Sequence, residues 1–152
     1  MNQQRAPWIF VAAYLLLLRD GQVLLLRRYN TGYEDGNYSV IAGHVDPGER
    51  VTQALIREAA EEAGIQLDEE DVHFVHAIHR QGTDRRVYLD FFFLAEHWQG
   101  QVHNCEPSKC DDLQWFPLAA LPTNTIPHVR AVLETLHTQT PRFSEHGWDG
   151  RD

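Results

Sequence analysis

The chain has 152 residues, the size of one ordinary domain that can bury a core without disulfide or metal staples. With 43% hydrophobic and 23% charged residues it is neither disordered nor fibrous in composition, and no apolar run approaches the roughly 20 residues that span a bilayer. The formal net charge of −9 disfavours a nucleic-acid polymer as partner, since that needs Lys and Arg against the phosphates; an acidic protein that handles phosphate calls for a bridging cation.

The start, MNQQRAPWIF, lacks a basic segment followed by an apolar stretch and a small-residue cleavage site, which makes the cytoplasm the expected compartment. Apolar runs from Trp8 to Leu18 and from Gln22 to Tyr29 flank Asp20-Gly21 and predict a hairpin. The turn-rich segment Asn30 to Asn37 is long enough to line a pocket, and it leads to a short strand, Tyr38 to Ile41, ending at Ala42-Gly43. Asp46-Pro47-Gly48 is turn chemistry, and the helix formers from Val51 to Ala63 predict a helix closed by Gly64.

Val72 to Arg80 and Arg86 to Trp98, rich in β-branched and aromatic residues, predict a second antiparallel pair about a turn at Gln81 to Asp84. After a polar loop, Gln99 to Asp112, a short strand follows at Leu113 to Phe116. Pro117 then opens a short helical turn, and Pro127 to Thr138 reads as a closing helix. Residues 1–140 read as one domain; 141–152 form a polar tail, disordered by default, in which Phe143 and Trp148 are able to dock. The expected class is α/β or α+β, a mixed sheet between helices. Cys105 and Cys110 lack the second pair a structural zinc site would need and read as reduced thiols, with a metal role as the lesser alternative.

On a wheel of about 100° per residue with Val51 at zero, Ala54, Leu55, Ala59 and Ala63 define an apolar stripe from about −60° to about +120°. Glu58 at about −20° and Glu62 at about +20° fall inside that stripe, with Glu61 near −80°, at about its edge. Like charges at this spacing repel, and partial burial raises the cost, so the arrangement asks for a cation with a taste for hard oxygen ligands, Mg²⁺ or Mn²⁺. The plain alternative is a solvated acidic helix with Arg57 paired to Glu61.

Gly43, five residues, Glu49, seven residues, then Arg57-Glu58-Ala59-Ala60-Glu61-Glu62-Ala63-Gly64-Ile65 resembles a complete Nudix box, Gly-x5-Glu-x7-Arg-Glu-U-x-Glu-Glu-x-Gly-U with U apolar. The flanks, Leu24 to Tyr29 before it and the Glu106-Pro107 loop with Leu113 to Phe116 after it, are also similar to MutT-like members of that family. The resemblance implies a Nudix fold, a loop-helix-loop that binds divalent cations through Glu58, Glu61, Glu62 and the Gly43 carbonyl, and hydrolysis of a diphosphate linkage by water. It implies that Glu49 and Arg57 form an internal ion pair that orients the glutamates. The general base is divided between Glu61, Glu62 and Glu106.

For the substrate, Arg27 and Arg28 at the end of the second strand are candidate phosphate ligands, against the ordinary reading of solvated strand-end arginines. Tyr33, Tyr38, Trp115 and Phe116 are candidates for stacking, the last two being more often core. His44 follows the box glycine, while His73, His76 and His79 read as structural. Asn124 and His128 lie where relatives often build the base pocket, but Thr123 to His128 supplies no carboxylate, which counts against oxidised-purine specificity.

Three functions stay open. One is a nucleoside triphosphate pyrophosphohydrolase, favoured by a short chain with no added domain. The second is an ADP-ribose or nucleotide-sugar pyrophosphatase, and the third a non-catalytic nucleotide sensor. The expected partner is a small nucleotide, with no membrane, and a homodimer is the assembly favoured by the base rate for soluble enzymes.

Overall fold

A computed structural model describes residues 8–138 and 142–148. Eight strands build a mixed sheet: β1 (Ile9–Arg19), β2 (Gln22–Arg28), β3 (Tyr38–Ser39), β4 (Ile41–His44), β5 (His73–Gln81), β6 (Val87–Ala95), β7 (Cys110–Pro117) and β8 (Arg142–His146). Two α-helices, α1 (Val51–Ala63) and α2 (Pro127–Glu134), cover it. The strand order is β3-β2-β1-β6-β5-β8, with β4 on β1 and β7 on β2.

β1 is the hub. It runs parallel to β6 from Ile9↔Val87 to Leu17↔Ala95, while its other side pairs first with β4 (Ala12↔His44 to Leu15↔Ile41) and then with β2 (Leu18↔Val23, Arg19↔Gln22). The hairpin expected at Asp20-Gly21 is present, with φ of 52° and 74° at the two turn residues. It pairs only beside the turn, because β2 leaves to join β3 and β7.

Residues Ala12 to Leu17 are all buried, so both faces of β1 are covered. Ala13, Leu15 and Leu17 pack with Ala54, Leu55, Ala59 and Ala63 of α1, whereas Ala12, Tyr14 and Leu16 pack with Val129, Val132 and Leu133 of α2. The sheet between two helices expected from the sequence is therefore the architecture observed.

Three expectations shift in detail. The single strand expected at Tyr38 to Ile41 is two: β3 pairs with β2 and β4 with β1, the chain changing partner at Val40. The closing helix stops at Glu134, and Leu136–Thr138 form a separate 3-10 turn. The tail is not wholly a loose end, since β8 pairs parallel with β5 (His76↔Arg142 to Arg80↔His146), Trp148 Nε1 donates to the His79 carbonyl at 2.8 Å, and its ring packs 4.7 Å from that of His79. The pairing is long-range, which a local reading of polar residues does not capture. The expected boundary at 140/141 and the ends of the tail lie outside the described residues. Among the described residues no helix is long and apolar enough to cross a membrane.

Candidate active site

The segment that carries the acidic cluster is shaped by its two ends. The turn at Asp46 to Glu49 closes with the Glu49 amide donating to the Asp46 carbonyl at 3.0 Å, and Gly48 takes the left-handed conformation (φ 80°) that the turn requires. In return Asp46 N–H donates to Glu49 Oε1 at 3.0 Å. At the far end Gly64 adopts φ 68° and its amide donates to the Ala60 carbonyl. The amides of His103 and Cys105 then donate to the carbonyls of Ala63 and Glu62, satisfying orphan acceptors of the last turn. That docking brings Glu106 beside the helix.

Arg57 organises the cluster. Its Nε and Nη2 donate to Glu49 at 2.8 and 3.0 Å, its Nη1 to Glu58 Oε1 at 2.8 Å, and its Nη2 also to the His44 carbonyl at 3.0 Å. Glu61 is a distant partner at 3.5 Å and is half exposed. The fork on Glu49 fixes the guanidinium, and the guanidinium fixes Glu58. Hydrogen bonds from Arg57 and from the Asp46 amide hold the Glu49 carboxyl down at about 2, and the bond to Glu49 in turn raises Arg57.

Glu58, with 12% of its side chain exposed, lies over Gly43. Glu62 accepts from the Ala42 amide at 3.2 Å. Burial pushes both carboxyls up, Glu62 far up, and the charges of their neighbours, Glu106 among them, add to the shift. Partly buried carboxylates that raise one another are the electrostatic signature of a place for a cation, and their hard oxygens suit Mg²⁺ or Mn²⁺. Among the described residues no three His, Cys, Asp or Glu side chains yet enclose an ion: Arg57 engages Glu58 and the Ala42 amide engages Glu62.

A cleft of about 890 Å³ opens over this cluster. Gly43, His44, Glu58, Glu61, Glu62, Glu106 and Arg28 all line it, as does the 30–33 loop with Tyr33. Arg28 pins that loop by donating to the Tyr33 carbonyl and Thr31 Oγ1, and Asp35 accepts from the amides of Thr31 and Gly32. Glu49 and Arg57 sit behind the lining, as an orienting pair would.

Other candidates lie elsewhere. Arg27 turns to Asp111 at 2.7 Å, Tyr38 is buried and donates to Asp112, Asn124 donates to the Gly36 carbonyl at 2.8 Å, and buried His128 meets Tyr14 Oη at 3.3 Å. None of these four belongs to the cleft lining. Trp115 stacks on Trp98 at 5.8 Å, Phe116 packs edge-on to Tyr38 at 5.0 Å, and both are part of the packing around the core. Burial of His128 drives its pKa well below the usual value, keeping it neutral. Cys105 is exposed and Cys110 buried, both free.

The cleft also holds residues the sequence reading did not single out: Arg80, Arg86, Tyr88 and Lys109. A signal for Arg80 exists. His76, Ile78 and Arg80 share the buried face of β5, and Asp90 shares that of β6, so opposite charges occupy core positions of adjacent strands. They form a buried ion pair at 2.6 Å.

The NUDIX domain model matches residues 9–136, most of the chain. The chain belongs to the Nudix family. Among curated Nudix relatives, the NAD-capped RNA hydrolase NudC of Stutzerimonas stutzeri is 33% identical over 119 residues, covering 78% of this chain and 40% of that protein. The human 8-oxo-dGDP phosphatase NUDT18 is 27% identical over 139 residues, covering 90% of this chain and 41% of that protein. The chain thus spans about 40% of the length of the curated relatives it matches. Among solved structures, the MutT NUDIX hydrolase from Burkholderia pseudomallei superposes with a TM-score of 0.78 at 28% identity, covering 84% of this chain and 97% of that one.

Proposed function

We propose that this Nudix chain hydrolyses the diphosphate linkage of a nucleotide-type substrate with the help of Mg²⁺ or Mn²⁺, and that the substrate is a nucleoside triphosphate cleaved to a monophosphate and pyrophosphate. The observation that carries this reading is the gathering of Glu58, Glu61, Glu62 and Glu106 in the lining of one cleft that also brings Arg28 and Lys109. The cation, held by Glu58, Glu61, Glu62 and the Gly43 carbonyl, would offset phosphate charge and lower the pKa of the attacking water.

The chain's own groups do the rest. Arg57 and the Ala42 amide aim Glu58 and Glu62. The Glu106 carboxylate accepts from no side-chain donor among the described residues and Glu61 only from Arg57 at 3.5 Å; Glu106, or Glu61 where the cation leaves it free, takes the proton from water as it attacks phosphorus. Arg28 and Lys109 offer positive charge to phosphate oxygens.

A second reading has its own support. The name NAD-capped RNA hydrolase, at 33% identity over 78% of this chain, points to a diphosphate that joins two nucleosides, and ADP-ribose or a nucleotide sugar presents the same linkage. That substrate would yield two monophosphates. On this reading a capped RNA end enters as a nucleotide, since the charge of −9 offers little to a long polymer.

The purified chain, incubated with Mg²⁺ and a panel of nucleoside triphosphates, ADP-ribose, NAD and nucleotide sugars, alongside Glu61→Gln, separates the readings by product mass. Pyrophosphate supports the first and paired monophosphates the second. Folded wild type that turns over nothing in the panel would defeat both and favour a nucleotide sensor.

A further inference from the structure

Arg80 is only 5% exposed, and its Nε and Nη2 donate to fully buried Asp90 at 2.6 and 3.3 Å. Among the described residues its Nη1 has no hydrogen-bond partner, yet the side chain lines the cleft. The guanidinium lies 4.2 Å from the centre of the Tyr88 ring. Tyr33, 39% exposed on its pinned loop, lines the same cleft. Ala12, level with His44 on β4 and with Asp90 on β6, is the small residue of that row and leaves the floor open.

A free guanidinium selects anions. Asp90 neutralises this one, so the remaining N–H is a fixed donor better suited to a neutral acceptor than to a phosphate. Two tyrosines beside it supply flat aromatic surface. We propose that this end of the cleft is a subsite for a planar heterocycle bearing a ring carbonyl, of the guanine or pyrimidinone kind, with Arg80 Nη1 donating to the carbonyl and Tyr33 and Tyr88 packing on the ring. The inference rests on the nucleotide reading above and assigns base recognition to β5 and β6. Asn124 and His128, at the start of α2, are engaged in internal bonds away from the lining.

Calorimetric titration of the full chain in Mg²⁺ with GMP, AMP and ribose 5-phosphate tests it without requiring turnover. GMP is expected to bind about tenfold tighter than ribose 5-phosphate, within the range that stacking gives, and tighter than AMP. The double variant Arg80→Gln with Asp90→Asn removes both charges together, and should lose the preference for GMP over AMP while binding ribose 5-phosphate as before. Should the double variant not fold, exposed Tyr33→Ala decides: GMP affinity must fall while ribose 5-phosphate affinity stays.

Equal binding of all three ligands by wild type would overturn the proposal, as would a GMP preference that survives the double variant, or GMP affinity unchanged in Tyr33→Ala. A chain that binds GMP as expected but hydrolyses nothing defeats only the hydrolase reading. One that hydrolyses nucleotides yet binds the three ligands equally defeats only this inference.

Discussion

A Cβ placed on Gly43 would lie 2.0 Å from Glu58 Oε1, so the glutamate occupies the space a side chain at position 43 would need. Gly43→Ala must therefore push Glu58 aside. Because the displaced group is the end of a flexible side chain, the fold should survive with its unfolding midpoint little changed. Hydrolysis should fall by about 10–100-fold, the range for a displaced metal-site partner. An alanine variant with wild-type kcat would contradict the role given to Glu58.

Arg57→Lys keeps a positive charge but cannot span both oxygens of Glu49 while reaching Glu58 and the His44 carbonyl. kcat should drop by roughly tenfold or more, with KM for the substrate nearly unchanged, because the residue aims Glu58 and does not line the cleft. A rise in KM alone, at constant kcat, would mean that Arg57 binds substrate directly.

The Glu49 carboxyl titrates at about 2 in the folded chain, against an ordinary value of 4.5, because Arg57 and the Asp46 amide bond its ionised form. A depressed carboxyl favours the folded state above the ordinary value and gives up that contribution as pH falls from about 4.5 toward 2. Urea midpoints measured across that window should decline, and Glu49→Gln should show a shallower decline. Parallel curves for the two proteins would remove Glu49 from the acid response.

Gly64 pairs a left-handed backbone (φ 68°) with close packing, since a Cβ there would meet the His103 ring at 2.1 Å. Gly64→Ala should cost at least the ~1–2 kcal/mol of a left-handed L-residue, read as a lower urea midpoint.

Trp148 binds β8 to β5 through the His79 carbonyl and ring. Trp148→Ala should destabilise the chain by about 1–3 kcal/mol, measured in urea. An unchanged midpoint would show that the segment after α2 adds nothing to the fold.

Helix α1 was legible in the sequence because both its ends carry local chemistry, the turn around Gly48 and the cap at Gly64, and because its apolar stripe exposes Glu58 and Glu62 as misplaced charges. Its predicted limits, Val51 and Ala63, are those observed. Arg80 and Asp90 were legible only as opposite charges within two strand-forming segments, since pairing them requires the register that sets Ile78 opposite Asp90. β8 was hidden for a related reason. Its partner lies far earlier in the chain, and its one aromatic residue, Phe143, is exposed, so Arg142–His146 carries no buried-face pattern. The substrate candidates placed from strand ends and helix starts met the same limit: Arg27 and Arg28 are neighbours in sequence, yet the strand pleat sends one to Asp111 and the other to the cleft.

The parallel pairing of β1 with β6 has a bearing on how the protein comes to be made. β1, the hub of the sheet, leaves a ribosome well before its longest partner, which ends at Ala95. Until then Ala12 to Leu17 is an apolar segment whose strand partners β2 and β4 pair with it over a few residues each, and α1 covers only its Ala13, Leu15 and Leu17 face. Nascent chains of this protein should depend on chaperone cover over that interval, and ribosome-bound chains that stop before β6 should be far more prone to aggregate than those that include it.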